Sequence, residues 1–235
     1  MIKLTFDAPL MSFGGPAVDQ VGNTFHFPPR SMLTGLFGAA IGYDRSEHEK
    51  LQALQKAFSY GVREDRQGHL IEDFQTVDLE TPWMTGYWKN GQYVSGKEAR
   101  GRYDSSSANR ETLHKQYVAD AVYTVVVSIS DEVPIGGEVP TGDEEKLLDA
   151  LRAPKWPVYV GRKACGTGYL RPEQADYPDL KTALQKIQLH DAADMEGPYR
   201  IWTEGHGRAV AGLRDWETRI HAGEQWIEED TVDVT

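Results

Sequence analysis

Apolar and polar positions alternate from the first residues: Ile2, Leu4 and Phe6 against Lys3, Thr5 and Asp7, the period-two pattern of a half-buried strand. A loop over 8–29 follows, with three glycines (Gly14, Gly15, Gly22) and four prolines (Pro9, Pro16, Pro28, Pro29). The period then changes. Met32, Leu33, Leu36, Phe37, Ala40 and Ile41 recur as one helical stripe, opened by two prolines, with Ser31 placed to cap the first free amides and Gly42 to stop the helix. Gly35, Gly38 and Gly42 share a second, flat face that something must approach closely: either tight helix-on-sheet packing or a ligand backbone lying on the glycines.

Residues 46–49 have the spacing of a capping box, and Leu51, Leu54 and Phe58 predict a second helix to about Tyr60. Weak alternation over 62–77 around Arg66-Gln67-Gly68 reads as a hairpin. The β-branched run 122–129 reads as a central strand. A further capping box at 141–144 precedes Leu147, Leu148 and Leu151, a helix stopped at Pro154; 156–160 reads as an edge strand or strand start because it holds Pro157. The order β, α, β, β, α, β predicts an α+β, ferredoxin-like domain over 1–160, interrupted by an irregular arm at 78–115. A small C-terminal subdomain, 161–235, would hold a helix with Leu180, Leu184 and Ile187 and a strand at 199–202. Trp216 and Trp226 would anchor it or face a partner, and its acidic end would fray.

Composition narrows the function classes. With 235 residues and 40% apolar composition the chain can bury a real core. No stretch approaches the ~18 apolar residues of a membrane span, and the first residues run directly into a strand, so a cytoplasmic protein is expected. The single cysteine, Cys165, allows no internal disulfide and no Cys-rich zinc site, and the histidines (26, 48, 69, 114, 190, 206, 221) show no ligand spacing; neither metal nor cofactor is expected. A net charge of −11 argues against a free-standing nucleic-acid binder. Its distribution changes the picture: residues 217–235 hold six acids and one base, whereas 89–115 hold six bases and three acids. An RNA-binding subunit among other subunits could carry that balance.

Three segments carry candidate chemistry. The Gly14-Gly15 turn can present successive amides to an anion, or be only a turn. The arm interleaves Trp83, Tyr87, Trp88, Tyr93 and Tyr103 with Lys97, Arg100, Arg102 and Arg110, a mixture suited to stacking on unpaired bases and contacting phosphates, or to local packing in a solvated loop. Residues 161–171 hold three glycines, three bases and no acid, so amides and the Arg162 and Lys163 cations can approach phosphate oxygens; a surface turn would read the same way. A Walker loop is absent, as are aromatic RNP-type strand motifs.

These segments resemble the CasD family, the subunit of the type I-E CRISPR Cascade complex that holds the 5′ end of the guide RNA. The resemblance rests on Ala8-Pro9-Leu10-Met11-Ser12-Phe13-Gly14-Gly15, on Phe27-Pro28-Pro29-Arg30-Ser31 with its glycine-rich helix, on Asp73-Phe74-Gln75-Thr76-Val77, on 113–125 and on Gly161-Arg162-Lys163-Ala164-Cys165. Lys115 and Gln116 stand where the family has an arginine-containing pair, and Ala164 and Gly166 replace a serine and a proline. The resemblance implies a RAMP-type domain with a thumb arm and a non-catalytic RNA-binding subunit, with crRNA and the Cascade backbone and large subunits as partners. It implies that Ser12, Gly14, Gly15, Arg30, Ser31, Lys97, Arg100, Arg102, Arg110, Lys115, Arg162 and Lys163 grip the 5′ handle. The alternative is a metal-independent endoribonuclease that processes precursor crRNA. It would use Tyr43, His114 and Lys115, by analogy with related type I-C subunits in which a tyrosine and a Lys-His pair cut.

Overall fold

The computed structural model describes residues 1–15, 20–78, 87–94, 110–129, 144–193 and 196–234. The alternating N-terminal segment forms β1 (Ile2–Asp7), with Ile2, Leu4 and Phe6 buried. On one side of it runs β9 (Val122–Ile129), and on the other the short β10 (Tyr169–Leu170) and β11 (Glu173–Gln174), all antiparallel to it. β9 pairs in turn with β4 (Phe58–Arg66), β4 with β12 (Tyr199–Val210), and β12 with β13 (Gln225–Val232), each antiparallel. β9 is buried on both faces, which is why its sequence is apolar without alternation. Val125 and Val127 join the main core, while Val126 joins a second cluster on the other face.

The main core is closed by α1 (Arg30–Ile41) and α3 (Glu144–Arg152), whose Leu33, Leu36, Phe37, Leu147, Leu148 and Leu151 pack over the sheet. α2 (His48–Lys56) adds Leu54. The second cluster lies under α4 (Leu180–Lys186), with Ala183, Leu184 and Ile201. A buried ion pair fastens α4 to the sheet. Arg63 Nε donates to Asp65 Oδ1 at 2.6 Å, both side chains fully buried, and Arg63 also donates to the carbonyls of Leu184 and Ile187 at the end of α4. Those carbonyls lack partners within the helix, so the guanidinium satisfies them.

A second sheet brackets the segment expected to form an arm. β5 (His69–Asp78) and β8 (Arg110–Ala119) pair antiparallel along their whole length, from His69 opposite Ala119 to Asp78 opposite Arg110. β2 (Leu10–Met11) and β3 (Val21–Gly22) flank β8 at its base. A small hairpin, β6 (Tyr87–Lys89) and β7 (Gln92–Val94), lies within the arm sequence. The ladder is formed by the segments on either side of residues 79–109.

Several local expectations are corrected. Ser31 does not cap α1: Pro29 holds the N-cap position without a side-chain bond, and the Ser31 amide donates to Gly212 O at 2.9 Å. The box at 46–49 does not cap α2 either, since Asp44 takes the Ser46 amide and hydroxyl at 2.9 Å each. α2 ends at Lys56, and Phe58 already belongs to β4. The box at 141–144 reaches beyond the described residues. Residues 156–160 form no strand: the amides of Lys155 and Trp156 are taken by Ala40 O and Ala39 O at the end of α1, and Tyr159 makes only an isolated bridge with Gly166. The acidic end does not fray: β13 pairs with β12 from Gln225 to Val232.

Candidate nucleic-acid interface

Three walls meet at α1. The first joins the loop after β1 to the turn at 161–166: Ser12 N donates to Val160 O at 3.0 Å, Val160 N to Cys165 O at 3.0 Å, and Cys165 N to Arg162 O at 2.8 Å. Gly161 makes this possible, with φ +97° and space for no side chain, since a Cβ there would lie 1.7 Å from Ser12 O. The second wall is 155–159, held by the terminal carbonyls of α1, which have no helical partner. The third is the connection between β12 and β13. Its Gly212 O accepts from Ser31, and the buried side chain of Gln55 clamps the rest: Gln55 Nε2 donates to Arg214 O at 3.0 Å, while Gln55 Oε1 accepts from Arg214 N and from Trp216 Nε1, each at 3.1 Å.

The walls enclose a cavity of about 700 Å³. The glycine face of α1 is part of its lining. That face does not meet the sheet: Trp216 lies 3.6 Å from where a Gly35 Cβ would stand, and Leu51 of α2 lies 2.5 Å from the corresponding point at Gly38. Arg45, Arg162, Arg214 and Arg219 line the cavity with a single acid, Asp44, and the aromatics Tyr43, Trp156, Tyr159 and Trp216. The Arg214 guanidinium stacks over Trp216 with its carbon 5.4 Å from the ring centroid.

Electrostatics mark the cavity as short of negative charge. Burial lowers the Arg214 pKa, and the cations of Arg219 and Arg45 lower it further. Burial likewise lowers that of His221, with Arg214 adding to the effect. Burial raises the Tyr43 phenol to about 12, helped by the charge of Glu47, so it stays protonated at neutral pH. Ser12 Oγ, Tyr43 Oη, Arg214 Nε and His221 Nδ1 are buried without a hydrogen-bond partner among the described residues. An unsatisfied buried group costs ~1–3 kcal/mol, and native proteins keep few of them.

Of the residues expected at the site, Ser12, Gly14, Ser31, Arg162 and Tyr43 line this cavity. Gly15 is not part of the lining; it faces the Phe25 ring, 3.0 Å from its Cβ position. Arg162 reaches to the arm base, donating to Gln116 O at 2.8 Å and Gly22 O at 3.0 Å and lying 4.8 Å from the Tyr117 centroid. Lys115 lies on the same side, 3.6 Å from the Gly22 Cβ position, and Lys163 is exposed. Arg30 stands apart. Its guanidinium donates to Glu204 Oε1 at 2.8 Å, Gln55 O at 2.6 Å and Phe58 O, and the side chain is only 13% exposed, so it ties β12 to α2 and β4. Lys97, Arg100 and Arg102 lie outside the described residues, and Arg110 is described only as backbone at the start of β8.

Tyr43, His114 and Lys115 do not form one cluster. Successive strand residues point to opposite faces. His114 Nδ1 sits 2.7 Å from Glu72 Oε1 with its ring edge-on to Phe74, while Lys115 Nζ donates to Gln75 Oε1 at 2.7 Å on the other face. Neither lines the cavity that holds Tyr43. Among the described residues, no group of three His, Cys, Asp or Glu could hold a metal ion, and no helix is long and apolar enough to cross a membrane. Sequence reasoning missed Gln55, Arg214, Arg219 and His221, and read Trp216 as an anchor or a partner-facing residue rather than as part of this lining. The available signal was two arginines and a histidine around Trp216, inside an otherwise acidic stretch.

Residues 1–227 match the family model described as CRISPR-associated protein (Cas_Cas5). The chain is 29% identical over 164 residues to the CRISPR system Cascade subunit CasD of Escherichia coli (strain K12), an alignment spanning 69% of this chain and 65% of that protein. It is also similar to a chain of a solved structure titled "CRISPR RNA-guided surveillance complex", with TM-score 0.68 and 23% identity over 98% of this chain and 90% of that one. A second solved structure, titled "Crystal structure of Cas protein", matches with TM-score 0.61 and 22% identity over 100% of this chain and 98% of that one. At these identities the two structures speak to fold: mixed α+β with antiparallel sheets, as here.

Proposed function

The chain belongs to the CRISPR-associated Cas5 family, and from that premise we propose that it is a non-catalytic RNA-binding subunit of a type I-E Cascade surveillance complex, holding the 5′ handle of the crRNA. Its partners in this reading are the crRNA and the backbone and large subunits, in the cytoplasm. The strand order β10/β11-β1-β9-β4, with α1 and α3 in the crossovers, supports the ferredoxin-like RAMP core, and the β5–β8 ladder supports the thumb. The observation that carries the reading is the cavity. Motif residues from distant parts of the chain, Ser12, Gly14, Ser31 and Arg162, converge on one arginine-rich, aromatic-lined space, and its Arg162 also bonds Gln116 of β8. Guanidiniums serve phosphates there and aromatic faces serve unpaired bases, the two needs of single-stranded RNA recognition.

The endoribonuclease reading loses support from the same geometry. A cutting site needs its base, acid and cation within reach of one phosphate, and His114 and Lys115 face opposite sides of the arm while the Tyr43 phenol is pushed away from ionisation. The test is incubation of the purified chain, without divalent metal, with end-labelled RNA carrying its host's CRISPR repeat. Retention without a new 5′ end is expected. Specific cleavage that disappears in His114→Ala would replace this reading with the nuclease.

A further inference from the structure

All four unpartnered buried polar atoms found among the described residues, Ser12 Oγ, Tyr43 Oη, Arg214 Nε and His221 Nδ1, belong to residues lining the cavity at α1. Elsewhere among the described residues the buried polar side-chain atoms are matched, as with Arg63 on Asp65 and the α4 carbonyls, or Gln225 on Tyr60 and Glu204. Unmet donors and acceptors gathered in one place define what would satisfy them: a ligand rich in oxygens and ring nitrogens. The arginines add a demand for negative charge, and the space is of the size that holds one small ligand, about 300–1,000 Å³. The β12–β13 connection supplies two of the unpartnered groups, together with the indole of Trp216 and the cation of Arg219.

We propose that this cavity seats a single unstacked, phosphate-bearing nucleotide, its phosphate on Arg214 and Arg219, its base against Trp216, and its polar edge met by His221, Tyr43 and Ser12. The proposal deepens the RNA-binding reading and rests on it for the source of that nucleotide, which is one position of the bound RNA rather than a free mononucleotide. The glycine face of α1 fits the role, because the missing side chain at Gly35 lets Trp216 lie against the helix, 3.6 Å from the Cβ position, where its ring lines the cavity. The cation cluster fits it as well: Arg214 is pressed by Arg45 and Arg219 with only Asp44 among the lining acids, and a phosphate would relieve that repulsion. Arg214, Trp216 and His221 become binding residues contributed by the β12–β13 connection, outside the short motifs at 8–15, 27–31, 73–77, 113–125 and 161–165.

The experiment is an abasic scan. Handle RNA in which each nucleotide in turn lacks its base is bound to the unmodified chain, to Arg214→Gln and to Trp216→Leu. One position is expected to lose tenfold or more in affinity when its base is removed, in line with the contribution of one base stacked on an aromatic side chain. That loss should vanish in Trp216→Leu. Losses spread evenly along the RNA, or a sensitive position that stays sensitive in both variants, would overturn the nucleotide seat and leave RNA binding standing. If the variants fail to fold, competition on the unmodified chain decides: mononucleotides should displace RNA with intact bases more readily than RNA abasic at the sensitive position, and equal displacement would overturn the proposal. If the chain retains no RNA at all, the RNA reading falls. Titration of mononucleotides by tryptophan fluorescence then separates a free-nucleotide site, saturable and lost in Arg214→Gln, from an empty proposal with no quenching.

Discussion

At the scale of single residues, the candidate site depends on positions where no other side chain fits or where burial sets the charge. Gly161 combines a positive φ with contact against Ser12 O, so Gly161→Ala strains the backbone and breaks the join between the first loop and the basic turn. Such a substitution is expected to cost ~2 kcal/mol or more, read as a lowered urea midpoint, with loss of RNA retention beyond the loss of folded protein. His221 gives a pH signature. Its folded pKa lies below the usual 6.5, so the unfolded chain takes up the proton more readily. The contribution is intact above pH 6.5 and is lost as pH falls from there towards the lower folded value. Comparing unfolding midpoints at several pH values across that window, His221→Asn should decline less steeply than the unmodified chain; parallel curves would contradict the assignment.

At the scale of elements, the sheet and its helices were legible where a period was clean, and illegible where hydrogen bonds overrode it. β1, α1, β9 and α4 follow their apolar patterns. The segment at 156–160 has strand composition, yet its neighbouring amides satisfy the open end of α1, and the strand beside β1 falls instead at 169–174, where no β-branched run announces it. β13 hid behind its acids, although Gln225, Ile227 and Val232 are buried. The wall at 212–221 was unreadable for another reason: two of the three bonds by which Gln55 holds it go to Arg214 backbone atoms, and backbone bonding leaves no mark in side-chain patterning. The attachment of α4 makes its own prediction. Removing one partner of a buried ion pair leaves an uncompensated charge and costs ~3–5 kcal/mol. Arg63→Ala should therefore lower stability by that amount in denaturant unfolding, far more than Lys181→Ala, whose partner Asp230 is exposed.

At the scale of the whole molecule, a chain of net charge −11 can hold RNA only where its cations are concentrated. The cavity rim answers this, with Arg45, Arg162, Arg214 and Arg219 close together and Lys163 next in sequence. RNA binding should then weaken linearly in log-log terms as salt rises. Lys163→Ala and Arg219→Ala should each flatten the slope by ~0.7, the value for one phosphate contact on a single strand. Slopes unchanged in both would place the phosphate contacts elsewhere.

The wall formed by the β12–β13 connection has a temporal consequence. It is fastened to α1 and α2 by Gln55 and the Ser31 amide, with Trp216 only partly buried, and polar fastenings of this kind detach at low free-energy cost. In amide hydrogen exchange, 212–221 should therefore lose protection well before the central strands β1 and β9, and bound RNA should slow that exchange. The lifetime of the complex would then be governed by how often this flap lifts rather than by how strongly the phosphates are held.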